Sequence, residues 1–142
     1  MRMILSLLIV AGFAGCADAQ KIKESQVPAT VVSNLHKMYP NLKDYVWFNE
    51  DGNYEAEYKI NKMEAAVTYD ANGTLMETER EIAVKELPAA VASYISANYS
   101  GTEIKEASEI TDANGMKSYE AEVKGKDIVF DSNGNFLKEE KD

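Results

Sequence analysis

The chain has 142 residues, with 15 basic and 24 acidic side chains, a formal net charge of −9, one cysteine and one histidine. Nucleic acid and anionic membrane carry the same sign of charge and are disfavoured as partners. A lone cysteine excludes an internal disulfide, so an exported chain of this size must be held by its apolar core.

The first residues read as an address. Met1-Arg-Met3 supplies a positive charge, Ile4 to Val10 is continuously apolar, and Ala17-Asp-Ala19 gives the small-x-small pattern before a cleavage point. Residues 1–19 are therefore expected to be a secretory signal peptide. The apolar run is shorter than the roughly 20 residues a spanning helix needs, and no later segment is long enough. Phe13-Ala-Gly-Cys16 also resembles the lipobox of bacterial lipoproteins, with Phe13 where that motif usually has Leu. Two outcomes stay open: cleavage after Ala19, giving a soluble periplasmic protein, or lipidation at Cys16, giving a membrane-anchored lipoprotein. Cleavage removes Arg2 and Asp18 together and leaves the balance unchanged.

A helix signal follows. Ser25 is a candidate N-cap, Pro28 sits near the first helical position, and Val31, Leu35 and Met38 recur at the spacing of one buried face before Tyr39-Pro40 ends the run. Strand signals come next, at Tyr45 to Asn49, Tyr54 to Ile60, Met63 to Tyr69 and Thr74 to about Ile82. They are separated by Glu50-Asp-Gly-Asn53, Asn61-Lys62 and Asp70-Ala-Asn-Gly73. If Asn61-Lys62 is a two-residue turn, Tyr54, Ala56 and Tyr58 share a face with Tyr69, Val67 and Ala65. Glu55, Glu57 and Lys59 then fall on the other side, with Lys59 opposite Glu64.

The pattern then returns. Pro88, Val91, Ile95 and Tyr99 outline a second helix that stops at Ser100-Gly101, and turns are expected at Asp112-Ala-Asn-Gly115, Lys124-Gly125 and Asp131-Ser-Asn-Gly134. Val27-Pro-Ala-Thr-Val31 recurs as Leu87-Pro-Ala-Ala-Val91, Tyr54-Glu-Ala-Glu57 as Tyr119-Glu-Ala-Glu122, and Tyr69-Asp-Ala-Asn-Gly73 as Phe130-Asp-Ser-Asn-Gly134. Order-preserving matches point to a duplicated supersecondary unit. The expected architecture is α+β: a tandem duplication of a helix plus a four-stranded antiparallel sheet, with the helices on one sheet face. Val31, Leu35, Tyr54, Tyr58, Val67, Val91, Ile95, Tyr119, Val123 and Phe130 are the expected core.

These same segments, with Trp47 on the first strand and Glu79-Arg-Glu-Ile82 before the second helix, resemble the PepSY-like, β-lactamase-inhibitor-like family of exported bacterial proteins. The resemblance covers nearly the whole chain after the leader, with a first PepSY-like repeat over 20–84 and a second over 85–142. It implies a curved sheet whose uncovered side grips another protein. The inhibitor's disulfides cannot form here, so inhibition itself is analogy.

Candidate sites follow from strand parity. With Phe48 set opposite Tyr54, Trp47 falls opposite Glu55 and Tyr45 opposite Glu57, which places two aromatics among carboxylates on the uncovered face. Glu120 and Glu122 extend that face in the second copy. Tyr45, Trp47, Glu55, Glu57, Glu120 and Glu122 are the expected binding residues. The alternative is a register shifted by one, with Trp47 in the core. The Asp-x-Asn-Gly segments echo part of a calcium loop but lack its remaining ligands and are read as turns. His36 has no second histidine or nucleophile to work with, and Glu77 and Glu79 read as a solvated strand edge.

No catalytic residue, metal site or cofactor is expected, because the sequence pairs no nucleophile with a base. The expected function is a non-catalytic exported module that binds or inhibits an envelope or secreted protein. The alternative is a periplasmic binder of a small ligand or cation.

Overall fold

The computed structural model describes residues 19–141, so the expected leader and Cys16 lie outside the described residues. The elements run β1 (Gln20–Ile22), α1 (Ala29–Met38), β2 (Tyr45–Glu50), β3 (Asn53–Ile60), β4 (Met63–Tyr69), β5 (Leu75–Ile82), α2 (Ala89–Asn98), β6 (Ala107–Asp112), β7 (Lys117–Glu122), β8 (Lys126–Asp131) and β9 (Phe136–Lys141). Short 3-10 turns, Glu24–Gln26 and Val84–Glu86, precede the two helices.

This corrects the expected duplication of a helix plus a four-stranded sheet. The strands form a single nine-stranded antiparallel sheet in the order β1-β2-β3-β4-β5-β6-β7-β8-β9, accompanied by two helices among the described residues. A further strand, Gln20–Ile22, which no strand signal marks in the sequence, pairs with Trp47 to Asn49 of β2. The physical reason is that ladder bonds join backbone groups, which every residue carries. Side-chain periodicity therefore cannot say whether successive meanders share one ladder.

By contact density the chain divides into two compact units, Met1–Thr78 and Glu79–Asp142. In the first, α1 sets Val31 and Leu35, both fully buried, against Trp47, Ala56, Tyr58, Ala65, Val67 and Tyr69. In the second, Val91 and Ile95 of α2 meet Ala107, Ala121, Val123, Ile128 and Phe130. A ten-residue helix is marginal alone in water, so this apolar contact is what holds each helix in place. Tyr54 and Tyr119, expected inside, pack only partly buried at the cluster margins. Met38, expected on the buried face, is 42% exposed. Neither helix has a side-chain N-cap: Pro28 and Pro88 hold the N-cap positions, and Ser25 belongs to the preceding 3-10 turn.

Register is set by two-residue turns. Asp51-Gly52 has φ of +50° and +85°, Asn61-Lys62 +53° and +71°, and Lys124-Gly125 +56° and +71°. Paired left-handed residues of this kind match the twist of an antiparallel hairpin. The β3–β4 register has Tyr54 opposite Tyr69 and Lys59 opposite Glu64, as parity required, and Lys59 Nζ lies 3.4 Å from Glu64 Oε1. The three Asp-x-Asn-Gly segments are turns. The Oδ1 atoms of Asp70, Asp112 and Asp131 each accept two backbone amides, at 2.8 to 2.9 Å.

Two of those turns press on a helix. A Cβ on Gly73 would sit 2.9 Å from Asn34 Nδ2, and one on Gly134 would sit 2.9 Å from Ala90 Cβ and 3.3 Å from the Val91 amide. Gly115, at φ +80° in the third turn, has open space around it. Gly115→Ala is therefore expected to cost about 1–2 kcal/mol, the left-handed backbone penalty alone. Gly134→Ala is expected to cost about 1–3 kcal/mol more from overpacking. Urea unfolding of the two variants side by side checks this; equal losses would remove the steric role of the Gly134 turn.

Candidate functional site

The face of each unit turned away from its helix is built by strand parity. In the first unit Val46 lies opposite Glu57 and Phe48 opposite Glu55, while Glu57 lies opposite Ala66 and Glu55 opposite Thr68. This corrects the expected pairing. Asp51-Gly52 closes the hairpin with only two residues, so Glu50 meets Asn53 and every partner on β2 moves by one.

The consequence for the expected site is specific. Trp47 lies opposite Ala56, is 2% exposed and belongs to the helix-side core. Tyr45 lies opposite Tyr58 on the same side. Its hydroxyl donates to Glu24 Oε2 at 2.5 Å and sits 3.2 Å from His36 Nε2, and the Trp47 indole N–H donates to the same Glu24 oxygen at 3.4 Å. Burial first, and then the Glu24 carboxylate, push the Tyr45 hydroxyl up to about 12. The two aromatics therefore fasten the 3-10 turn and α1 to β2. His36 stands at this corner, its ring edge-on to Tyr45 at 5.9 Å.

Glu55, Glu57, Glu120 and Glu122 do lie on the faces away from the helices, but the structure corrects their exposure. Glu55, Glu57 and Glu122 are buried, and Glu120 is half-buried. Glu77 and Glu79, read as a solvated edge, are buried too, at 6% and 3% exposure on an interior strand. What sequence reasoning missed was Phe48, which parity carries to this face and which is 5% exposed. The signal that could have found it was the Asp-Gly dipeptide, which favours a two-residue turn.

Glu55 is strongly perturbed. Burial, then the charges of Glu57, Glu50 and Glu77, push its carboxyl well above its ordinary value of 4.5, against the opposing Thr68 hydroxyl bond at 3.3 Å. Low-dielectric surroundings disfavour the ionised form, and like charges disfavour it further. In the second unit, Glu120 lies opposite Ser108 and Val129, and Glu122 opposite Asp127. Glu109 is different: burial raises its carboxyl, but bonds from Lys117 at 3.0 Å and Arg80 at 3.1 Å outweigh it and hold it below its usual value.

No cluster able to hold a metal ion occurs among the described residues. The arrangement sets carboxyl groups beside apolar side chains on one face of the sheet.

Two outcomes follow from this geometry. Trp47→Ala should destabilise the fold by about 3–5 kcal/mol, the range for emptying a core aromatic site, as read by chemical denaturation. For Glu55, a raised folded-state pKa means its stabilising contribution is complete below pH 4.5 and is lost as pH rises through the folded value. Glu55→Gln should therefore raise the melting temperature at pH 8 by several degrees and leave it nearly unchanged at pH 4. A uniform shift at both pH values would contradict the assignment.

The fold recurs in solved crystal structures from Bacteroides. A BLIP-like protein from Bacteroides fragilis is 26% identical, with a TM-score of 0.63 over 80% of this chain and 86% of that one. A DUF2874 family protein from Bacteroides uniformis is 22% identical, with a TM-score of 0.71 over 81% of this chain and 89% of that one. A structure described as "putative periplasmic proteins" from Bacteroides eggerthii is 20% identical, with a TM-score of 0.72 over 81% and 88%. A search of curated proteins finds no significant match. The family model described as "Putative beta-lactamase-inhibitor-like, PepSY-like" matches residues 16–77 and 44–138, and the chain belongs to that family.

Proposed function

We propose that this protein is a non-catalytic exported binding module that takes a protein of the cell envelope onto the sheet face turned away from its helices. The observation that carries the reading is that the partly exposed Val46 and Glu64 share that face with the buried Phe48, Glu55 and Glu57. Burying the Glu55 carboxyl among like charges is unfavourable for folding, and local conflicts of this kind are found at functional sites. The family's inhibitor-like description and the name of the Bacteroides fragilis relative support a binding role. The net charge of −9 favours a partner with a basic surface. No helix among the described residues is long and apolar enough to cross a membrane. Export to the periplasm rests on the leader motif and agrees with the description of the Bacteroides eggerthii structure.

The test uses two substitutions on partly exposed positions of the faces away from the helices, Glu64→Lys and Glu120→Lys. Cross-linking in envelope extracts should recover a partner with the native protein, weaken with added salt, and fall at least tenfold with the double variant. Equal recovery by both proteins would end the assignment of the face. Intact mass of protein taken from membranes separates cleavage after Ala19 from lipid attachment at Cys16.

A further inference from the structure

Three asparagines in the chain stand directly before glycine, in Asn72-Gly73, Asn114-Gly115 and Asn133-Gly134, and each follows a small residue, Ala71, Ala113 or Ser132. All three asparagines are exposed and belong to turns of the same construction. The glycine amide donates to the carbonyl of the leading aspartate at 3.0, 3.0 and 2.9 Å, and the asparagine amide donates to that aspartate's Oδ1 at 2.8, 2.8 and 2.9 Å. Only the surroundings differ. Gly73 and Gly134 are buried: the Gly73 carbonyl accepts Asn34 Nδ2 at 2.8 Å, and a Cβ on Gly134 would lie 2.9 Å from Ala90 Cβ and 3.2 Å from Pro88 Cβ. Gly115 is exposed, and beyond its chain neighbours no atom lies within 4 Å of the place a Cβ would take.

An asparagine before glycine carries its own chemistry. The glycine nitrogen attacks the asparagine Cγ, forming the N–Cγ bond of a five-membered succinimide; the Cγ–Nδ2 bond breaks, and the side-chain nitrogen leaves as ammonia with the proton that the glycine amide gives up. Water then opens the ring. Cleavage of the new N–Cγ bond gives aspartate, and cleavage of the original peptide bond gives isoaspartate, whose main chain runs through Cβ and Cγ. Glycine has no Cβ to shield the attacking nitrogen or restrict its rotation. In these turns, however, that nitrogen's proton is held by the aspartate carbonyl. Ring closure therefore requires a local opening of the turn, and the free energy of that opening sets the rate.

We propose that Asn114 is the site at which the folded protein converts to aspartate and isoaspartate, and that Asn72 and Asn133 are protected by the helices against which their turns pack. Opening at Asn114 breaks only the turn's own bonds. Opening at Asn72 must also free the Gly73 carbonyl from Asn34 of α1, and opening at Asn133 must move Gly134 away from Pro88 and Ala90 at the start of α2. Asn135 Nδ2 braces the last turn further, donating to Asp131 Oδ2 at 2.9 Å. The product bears on the hairpin. A new carboxylate at position 114 stands two residues from Asp112, whose Oδ1 holds the amides of Asn114 and Met116, and isoaspartate adds one main-chain carbon to the connection between β6 and β7. The inference is independent of what the protein binds.

The experiment is incubation of the purified protein in mildly alkaline buffer, with a parallel sample unfolded in urea, followed by peptide mass spectrometry and labelling of isoaspartate by an isoaspartate-specific methyltransferase. In the folded protein Asn114 should convert at least fivefold faster than Asn72 or Asn133 and give both products, and in urea the three rates should come within about twofold of one another. Asn34→Ala should speed conversion of Asn72 at least threefold while Asn133 in the same molecules keeps its rate, which separates loss of the α1 contact from general loosening of the fold. Equal rates in the folded protein, faster conversion at Asn72 or Asn133, or aspartate formed without isoaspartate would overturn the proposal. The same ranking in urea would also overturn it, because the order would then come from adjacent residues and not from the helices. An unchanged Asn72 rate in Asn34→Ala would remove α1 as the protecting element.

Discussion

The sheet depends on hairpins that close with two left-handed residues. Asp51-Gly52, Asn61-Lys62 and Lys124-Gly125 leave no spare residue between their strands, so each fixes the partner of every residue on either side. Side chains alternate with a period of two, and a slip of one position would exchange the two faces completely. Trp47, Ala56, Tyr58 and Val67 reach α1 because of that constraint. The same constraint carries Phe48, Glu55 and Glu57 away from it.

The two sides of the sheet are then subject to different forces. On the helix side, apolar burial dominates, and the turns at Gly73 and Gly134 approach the helices so closely that a methyl group has no room. Asn34 adds a bond of 2.8 Å to the Gly73 carbonyl, which ties α1 to the turn after β4. On the other side, Glu55 is held in an environment that favours its neutral form. A carboxyl group removed from water among like charges opposes folding, so Glu55 beside Phe48 runs against local stability. Glu109, with Arg80 and Lys117 at hand, shows the compensated alternative in the same protein.

The aromatics near His36 illustrate how a site can look functional in one dimension and be structural in three. Tyr45 and Trp47 occur beside acidic positions in a strand, a composition that suits an interface. In the folded chain they share Glu24 as an acceptor and lock a 3-10 turn against β2. Their polar atoms are used inside the protein, and the side chains one position along the strand, Val46 and Phe48, are carried to the opposite face.

Much of this was legible in the residues themselves. Helix spacing at Val31 and Leu35, the Asn61-Lys62 and Lys124-Gly125 turns, the Asp-x-Asn-Gly turns and the facing pair Lys59 and Glu64 are local properties, decided within a few residues by backbone preference and side-chain alternation. The sheet's continuity, the pairing of Gln20–Ile22 with β2 and the burial of Glu55, Glu57, Glu77 and Glu79 were decided only in the tertiary structure. Ladder bonds are made by backbone atoms that look alike at every position, one residue of turn length reverses a face, and a carboxyl group's access to water depends on neighbours brought from distant segments.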